Sequence, residues 1–273
     1  MVSQEQRRKQ LAREKMARQQ ERREAARRRA RARNAVIAGA LAVVVAGGAV
    51  SYAAGAFDGD DTKDDASARP SSAPKDPCEK AAPGKVKPLS FEKEPALTID
   101  KSADYTMDLK TTCGDIALDL DAAKAPHTVN SFNFLLNKGY LDHTKCHRLT
   151  TGGIYVLQCG DPKANGKGTP GYKIPDENLK DKRLKGNVYP AGTVAMANQY
   201  NAKAKQGRNT GGSQFFLVYQ DSQLPPDYTP FGTISDSGMK VLKKIAAAGE
   251  SSGQGDGAPN ATVVIDKATV TKS

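Results

Sequence analysis

The chain has few of the residues that build metal, nucleotide or thiol-based active sites. It contains four Cys, three His and no Trp, and no two of its Cys form a C-x-x-C pair. His143 and His147 have the spacing of two metal ligands on a helix, but Thr144 stands where a zinc protease would carry its Glu. The Gly-rich segment 165–171 lacks the spacing of a phosphate loop, and its Pro170 has no N–H to donate. These absences argue against a metal centre or a bound nucleotide, and we expect no cofactor.

Net positive charge is nearly missing from most of the chain, although the formal total is +11. Residues 1–34 hold 13 Lys and Arg against four Glu, a net charge of +9, which leaves +2 for the other 239 residues. A nucleic-acid-binding domain would carry a basic stripe on its folded body. The near-neutral body therefore predicts no nucleic-acid partner, and residues 1–34 are interpreted as a separate basic arm.

Residues 35–57 contain no charged residue and no Pro over 23 positions. A helix of that length spans roughly 34 Å, enough to cross a bilayer core of about 30 Å. Because the basic arm precedes it, the positive-inside rule predicts a single-pass protein of the cell membrane. Residues 1–34 would be cytoplasmic, and everything after residue 57 would be extracellular. A cleaved signal peptide is the alternative, since the small residues 53–56 fit a cleavage site.

Residues 58–95 combine five Asp in their first eight positions with Ser, Ala and six Pro. Few of these residues can bury apolar surface, so the composition predicts a flexible linker. The linker would hold a single globular domain, residues 96–273, away from the membrane.

Four short motifs follow one another within that domain. They are Cys-His-Arg at 146–148, Gln-Cys-Gly-Asp at 158–161, Met-Ala-Asn at 196–198 and Gly-Ser-Gln-Phe-Phe at 212–216. In this order they resemble the cyclophilin family of peptidyl-prolyl isomerases, with Cys146 in place of an aromatic residue and Cys159 in place of a Gly. The resemblance covers residues 96–273 and implies a mainly β fold, a closed eight-stranded antiparallel barrel with two helices.

The local sequence patterns agree with that fold. Alternating apolar residues on both sides of Cys113-Gly114 predict a β-hairpin. One helix is predicted to open at 125–128 and to close at Gly139, and a second to be capped by Asp236 or Ser237 and to end at Gly249. Further strands are predicted at 146–150, 154–158, 193–197, 214–219 and 261–270.

The resemblance assigns catalysis to Arg148. Rotation about a peptide bond faces a barrier of about 18–20 kcal/mol because the amide is stabilised by resonance. In the twisted state that resonance is lost, and the nitrogen recovers its lone pair. A guanidinium beside this nitrogen can donate a hydrogen bond that the planar ground state does not accept, which is preferential binding of the transition state.

The same resemblance assigns nine residues to the substrate groove. Those that match the floor, the walls and a further aromatic contact of a proline pocket are Phe216, Val156, Leu224 and Tyr155. Those that match groups holding the substrate backbone are Gln158, Ala197, Asn198 and Gln214. The ninth, Tyr228, stands where a His is common in the family.

Three departures from the family pattern alter the rim of this groove. The segment between Arg148 and Gln158 is longer than in the common form, which leaves the register of both Tyr155 and Val156 open. Residues 199–210 are also longer than usual and very polar. Gln223 aligns where many members carry Trp, so the resemblance implies weak inhibition by cyclosporin.

The four Cys allow three disulfide pairings. Cys146 and Cys159 should lie on adjacent strands of one hairpin, which favours their pairing and leaves Cys78 for Cys113. Strict alternation would nevertheless put the two hairpin thiols on opposite faces unless a bulge intervenes. The sequence leaves the pairing open.

Taken together, these patterns predict a membrane-anchored peptidyl-prolyl isomerase that assists the folding of exported proteins by acting on their X-Pro segments. The alternative is a proline-binding or chaperone module with little catalysis, because the rim is altered. In a third interpretation the basic arm carries the function and the barrel is a passenger.

Overall fold

The computed structural model describes residues 76–273. The predicted basic arm 1–34, the predicted transmembrane helix 35–57 and residues 58–75 of the predicted linker lie outside the described residues. Within 76–273, neither of the two helices is long and apolar enough to span a bilayer.

The described chain is mainly β, with two helices, as predicted. The strands are β1 Tyr105–Thr111, β2 Gly114–Leu120, β3 Thr144–Lys145, β4 Arg148–Thr150, β5 Val156–Cys159, β6 Val188–Tyr189, β7 Thr193–Met196, β8 Phe215–Val218, β9 Ser222–Gln223, β10 Pro230–Ile234, β11 Asp256–Gly257 and β12 Val264–Lys272. The helices are α1 Pro126–Asn137 and α2 Asp236–Ala247.

Ten of these strands form one antiparallel sheet in the order β11-β4-β5-β8-β7-β10-β2-β1-β12-β3, while β6 and β9 pair separately. Eight of the ten are three residues or longer. The resemblance implied a closed barrel of eight strands. Within residues 76–273 the sheet instead has ten strands in an open order, with the two-residue strands β11 and β3 at its ends, which corrects both the count and the closure. The chain runs from β3 at one end of the sheet to β4 near the other through Cys146 and His147. Their N–H groups donate to Val263 O at 3.0 Å and to Gln158 O at 3.1 Å.

The core lies between the inner face of this sheet and the helices. The predicted hairpin β1–β2 buries Met107, Leu109, Ile116 and Leu118 at alternate positions, as a half-buried sheet requires. From α1, the ring of Phe132 stacks on Phe231 at 5.1 Å and meets Phe215 edge to face at 5.5 Å. Aromatic pairs of this kind add about 0.5–1.5 kcal/mol beyond their buried area.

The helix ends follow the capping rules, with one change from the prediction. Pro126 occupies the first turn of α1, where its missing N–H costs nothing. Helix α2 is capped by Ser235 rather than by Asp236 or Ser237, because the Ser235 hydroxyl accepts a hydrogen bond from Gly238 N at 3.1 Å. Asp236 instead falls in the first turn, where a negative charge suits the helix dipole.

Residues 76–95 lie against the domain, which corrects the predicted linker. A disulfide joins Cys78 to Cys113, and Glu79 N donates to Thr112 O at 2.7 Å. Further along, the ring of Phe91 meets that of Phe134 edge to face at 4.9 Å. The few apolar residues of this segment are scattered among Pro and Lys, so no periodic pattern marked it as part of the fold. We refer to residues 76–95 as the N-terminal strap.

The second disulfide joins Cys146 to Cys159, with a Cα–Cα distance of 4.0 Å, so the favoured pairing is confirmed. Arg148 faces Gln158 directly in the β4–β5 ladder. Cys146 lies two positions before Arg148, whereas Cys159 lies one position after Gln158. The chain leaves the regular ladder at His147, and this extra residue brings both thiols to the same side.

Candidate active site

A cavity of about 190 Å³ opens on the side of strands β5 and β8 that faces away from the main core. Its rim carries polar groups and its floor is apolar, and we call it the apolar cavity after that floor. Its walls come from these strands, from β4 and from the segments around residues 197 and 224–228. The residues that line it are Arg148, Ile154, Val156, Gln158, Ala197, Asn198, Phe216, Leu224 and Tyr228. Eight of these nine were assigned to the site from the sequence, the exception being Ile154.

Strand register explains why distant motifs meet here. Arg148 on β4 faces Gln158 on β5, Gln158 faces Phe216 on β8, and Phe216 faces Ala195 on β7. Directly opposed residues of neighbouring antiparallel strands share a face of the sheet, with Cβ atoms about 4.5–5.5 Å apart. The ladder therefore sets the guanidinium, an amide and the aromatic ring in one row.

The cavity floor is a small apolar cluster separate from the main core. Phe216 is 5 % exposed and Val156 2 % exposed, and Leu224 is partly buried and packs against the cluster that contains them. The ring of Tyr228 meets Phe216 edge to face at 5.5 Å. A proline ring, which has no polar group to satisfy, fits such a lining.

Tyr189 is a buried member of this cluster, and the sequence analysis did not assign it to the site. Its hydroxyl donates to Tyr228 O at 2.7 Å and accepts from Tyr228 N at 3.1 Å, so it fixes the backbone that carries the Tyr228 ring. Burial raises the pKa of Tyr189, which keeps the hydroxyl neutral and able to donate. Tyr189 belongs to the two-residue strand β6 and to none of the four motifs, so no sequence signal pointed to it.

The structure places Tyr155 outside the cavity, contrary to the prediction. Its ring packs edge to face on Tyr219 at 6.0 Å, and its N–H donates to the Ser222 hydroxyl at 2.9 Å. Val156 does line the cavity, and neighbouring residues of an extended chain point to opposite sides. Ile154, two positions before Val156, takes the place on the cavity side. The longer segment after Arg148 permits this arrangement.

Arg148 is held at the cavity edge by two partners. Its Nε and Nη2 donate to Asp256 Oδ1 and Oδ2, each at 2.7 Å, and its Nη1 donates to Gln158 Oε1 at 3.2 Å. The hydrogen bond to Asp256 raises the pKa of Arg148, and the same contact lowers the pKa of Asp256. Both groups therefore stay charged at neutral pH. Asp256 lies in the Gly- and Ser-rich segment before β12, and nothing in the sequence tied it to the site.

A polar recess of about 190 Å³ adjoins the cavity and shares Gln158, Ala197 and Asn198 with it. Gln158 Nε2 donates to Gln214 Oε1 at 3.0 Å, and Gln214 Nε2 donates to Gly168 O at 2.9 Å. Gln214 thus lines the recess rather than the cavity. The other residues of the recess are Gly166, Lys167, Gly168, Thr169, Tyr172, Lys173, Gln199, Thr210, Gly212 and Ser213.

The long polar segment 199–210 contacts Asp227, next to the cavity residue Tyr228. Arg208 stacks on the Tyr200 ring at 3.5 Å and pairs with the Asp227 carboxylate. Asn198 Nδ2 donates to Asp227 O at 2.8 Å. These contacts fix the segment just before Tyr228, so the extra length on one side of the site supports the aromatic wall on the other.

This arrangement can bind an apolar ring and present a fixed hydrogen-bond donor beside it. Of the five N–H groups of the Arg148 guanidinium, three have partners among residues 76–273, and two remain for a ligand.

Comparison with known proteins identifies the family. The sequence pattern of the family described as cyclophilin type peptidyl-prolyl cis-trans isomerase/CLD matches residues 106–270. The chain belongs to this family, and its cyclophilin-like fold of strands and two helices agrees with that membership.

Among its relatives is a probable peptidyl-prolyl cis-trans isomerase B of Mycobacterium leprae, 50 % identical over 172 residues, or 60 % of this chain and 56 % of that protein. A protein of the same description from Mycobacterium tuberculosis is 44 % identical over 188 residues, or 66 % of this chain and 58 % of that protein. The chain thus matches somewhat more than half the length of these mycobacterial relatives.

Among solved structures, a cyclophilin type peptidyl-prolyl cis-trans isomerase of Cryptosporidium parvum matches with a TM-score of 0.51 and 27 % identity. The match covers 62 % of this chain and 99 % of that one. A second structure of that protein, in the presence of the dipeptide Ala-Pro, matches with a TM-score of 0.50 and 26 % identity over the same shares of the two chains.

Proposed function

We propose that the domain catalyses the cis-trans isomerisation of X-Pro peptide bonds. The observation that carries this proposal is the placement of Arg148 at the edge of a cavity floored by Phe216, with two N–H groups that have no partner among residues 76–273. The family membership supports the same reaction, and the Cryptosporidium relative was solved in the presence of Ala-Pro.

In the proposed mechanism the proline ring enters the apolar cavity and the preceding residues lie along Gln158, Ala197 and Asn198. The ring is held while the preceding carbonyl rotates. As the peptide twists, its nitrogen becomes pyramidal and accepts a hydrogen bond from Arg148. Because this bond is stronger in the twisted state than in the planar one, it lowers the barrier without tightening the ground-state complex.

The substrates we propose are X-Pro segments of exported proteins, with the enzyme held in the cell membrane by residues 35–57. The support is the order of the basic arm and the uncharged run in the sequence, together with two disulfides in the domain. Disulfides persist in oxidising compartments and are rare in the cytosol. This favours a domain on the outer side of the membrane.

The reaction is tested by NMR exchange spectroscopy on a short X-Pro peptide with the purified protein. Uncatalysed exchange takes tens to hundreds of seconds, and we expect catalytic amounts of protein to bring it into the range that exchange spectroscopy detects. Peptide resonances that shift on binding while the exchange rate stays at the uncatalysed value would establish the proline-binding module instead.

The location is tested by adding protease to intact cells. We expect the domain to be removed while residues 1–34 remain protected inside. Recovery of the domain from the culture medium, with a new N-terminus near residues 54–57, would show a cleaved signal peptide and overturn the anchor.

A further inference from the structure

Asp256 holds the guanidinium of Arg148 by a two-point contact. Nε donates to Oδ1 and Nη2 to Oδ2, both at 2.7 Å. The planar fork of an Arg matches the two oxygens of a carboxylate, so this geometry fixes both the position and the plane of the guanidinium.

This ion pair is too exposed to stabilise the fold by much. The side chain of Arg148 is 38 % exposed and that of Asp256 is 54 % exposed. Ion pairs in such surroundings contribute about 0–1 kcal/mol to the free energy of unfolding. A strong effect of Asp256 on the reaction would therefore have to arise from orientation of Arg148 rather than from stability of the domain.

The backbone of Asp256 is itself held in register with the catalytic strand. Strand β11 pairs with β4, so that Asp256 faces Thr150 and Gly257 faces Leu149. Next to this pair, Thr151 N donates to Gly255 O at 2.9 Å. The carboxylate is thus fixed to the strand that carries Arg148.

The loop before β11 is tied by a second carboxylate. Glu250 accepts from Ser252 N at 2.6 Å and from Gly255 N at 2.8 Å. Ser251 N donates to Ala258 O at 2.8 Å, which closes the base of the loop. A loop held in this way presents Asp256 in one place, although it is rich in Gly and Ser.

The contacts divide the donors of Arg148 into two sets. Asp256 takes Nε and one N–H of Nη2, and Gln158 takes one N–H of Nη1. Within the described part of the chain, one N–H on each Nη then remains without a partner. With Asp256 on one side and Gln158 on the other, these two groups keep a constant direction.

We propose that Asp256 is a positioning residue for the isomerase reaction, and that it orients Arg148 so that the remaining N–H groups meet the twisted amide. The inference rests on the proposed function, because it requires Arg148 to act in catalysis. It adds to that function a residue outside the four sequence motifs.

The test compares the full-length unaltered protein with Asp256→Asn, Asp256→Glu and Arg148→Ala by exchange spectroscopy on one X-Pro peptide. An amide offers only one acceptor oxygen, so we expect Asp256→Asn to lower kcat about tenfold, while KM changes by less than about twofold. Asp256→Glu restores a two-oxygen partner and should recover most of the rate. Asp100→Asn is the matched control, because Asp100 is 47 % exposed and pairs with Lys272 elsewhere on the surface.

A double-mutant cycle separates positioning from a structural effect. Once Arg148 is replaced by Ala, removal of the Asp256 carboxylate should change the rate no further. An equal loss in both backgrounds would overturn the proposal. A rate increase in Asp256→Asn would also overturn it, because it would mean that the carboxylate restrains Arg148 from acting.

If Arg148→Ala keeps the full rate, the proposed function itself fails. If Arg148→Ala loses the rate and Asp256→Asn does not, only the role of Asp256 fails.

Discussion

The apolar cavity and the polar recess lie side by side, have similar volumes and share three residues, yet they are built differently. The cavity takes four of its nine lining residues, Arg148, Val156, Gln158 and Phe216, from strands whose register is fixed, whereas the recess takes only Gln158 from a strand. The cavity floor is made of buried side chains such as Phe216 and Val156. The recess is lined largely by loop residues, among them Gly166, Gly168 and two exposed lysines. For the proposed reaction, this difference predicts that the cavity binds the proline common to all substrates, while the recess faces the residues that vary.

The largest effect is expected at the edge of the cavity, at Arg148. Arg148→Ala should lower the isomerisation rate about a hundredfold or more, the scale of losing one transition-state donor at about 2.7–4 kcal/mol. Peptide affinity should fall much less, because ground-state binding depends on the cavity. Arg148→Lys should recover the rate only in part, since an ammonium lacks the planar fork. Exchange rates at saturating peptide, with affinities from a separate titration, measure both quantities. Equal rates for the unaltered protein and Arg148→Ala would remove the catalytic role.

A smaller loss is expected when the cavity floor is removed. Phe216→Ala should weaken peptide affinity and kcat/KM together, by about 1.5–3 kcal/mol or roughly tenfold to a hundredfold. Titration calorimetry measures the peptide affinity, and the exchange assay measures kcat/KM. Phe134→Ala is the control, since that ring packs on the N-terminal strap and should lower the melting temperature without changing affinity. A loss of kcat with unchanged affinity in Phe216→Ala would show that the ring does not hold the proline.

The rim of the cavity should decide inhibition by cyclosporin. Gln223 is exposed, reaches Gly186 O at 3.4 Å and directly precedes Leu224 of the cavity wall. We expect weak inhibition of the unaltered protein, and a gain of about 0.5–1.5 kcal/mol in Gln223→Trp because an indole adds aromatic contact there. Inhibition curves for both proteins, with Gln220→Trp as control, provide the measurement. Tight inhibition of the unaltered protein would show that Gln223 is not the equivalent of the family Trp.

The smallest effect is expected in the polar recess. Lys167 and Lys173 should favour peptides with an acidic residue before the X-Pro bond, and replacing both by Gln should remove that preference. Each exposed charge contributes about 0.2–1 kcal/mol, so the change in kcat/KM should be a few-fold and should shrink in high salt. Lys240→Gln on α2 is the control. An acidic preference that survives the double substitution would place its origin outside the recess.

The sequence predicted the strand-built part of the site well because strand register is encoded in the motifs. Arg148, Gln158 and Phe216 fall into one row of the ladder, and the hairpin and both helices lie where their apolar patterns indicated. Tyr155 was misplaced because alternation depends on the length of the preceding loop, which differs from the family form.

Asp256 and Tyr189 could not be predicted, because each sits on a strand of two residues that shows no periodicity. The N-terminal strap was missed for a related reason. Its attachment depends on a disulfide to Cys113 and on the isolated ring of Phe91. Such contacts are set by the folded partner and not by local composition.

The Cys78–Cys113 bond also has a mechanical consequence. It closes a covalent loop across a sequence separation of 35 residues, and the N-terminal strap from Glu79 onward lies inside that loop. A pulling force applied through the segment before Cys78 would pass across the sulfur bridge directly to the turn of the β1–β2 hairpin. Peeling of the strap by that force would first require the bridge to break. For the proposed membrane-anchored enzyme, a force transmitted from the anchor would therefore act on the hairpin through the disulfide and would leave the strap unloaded.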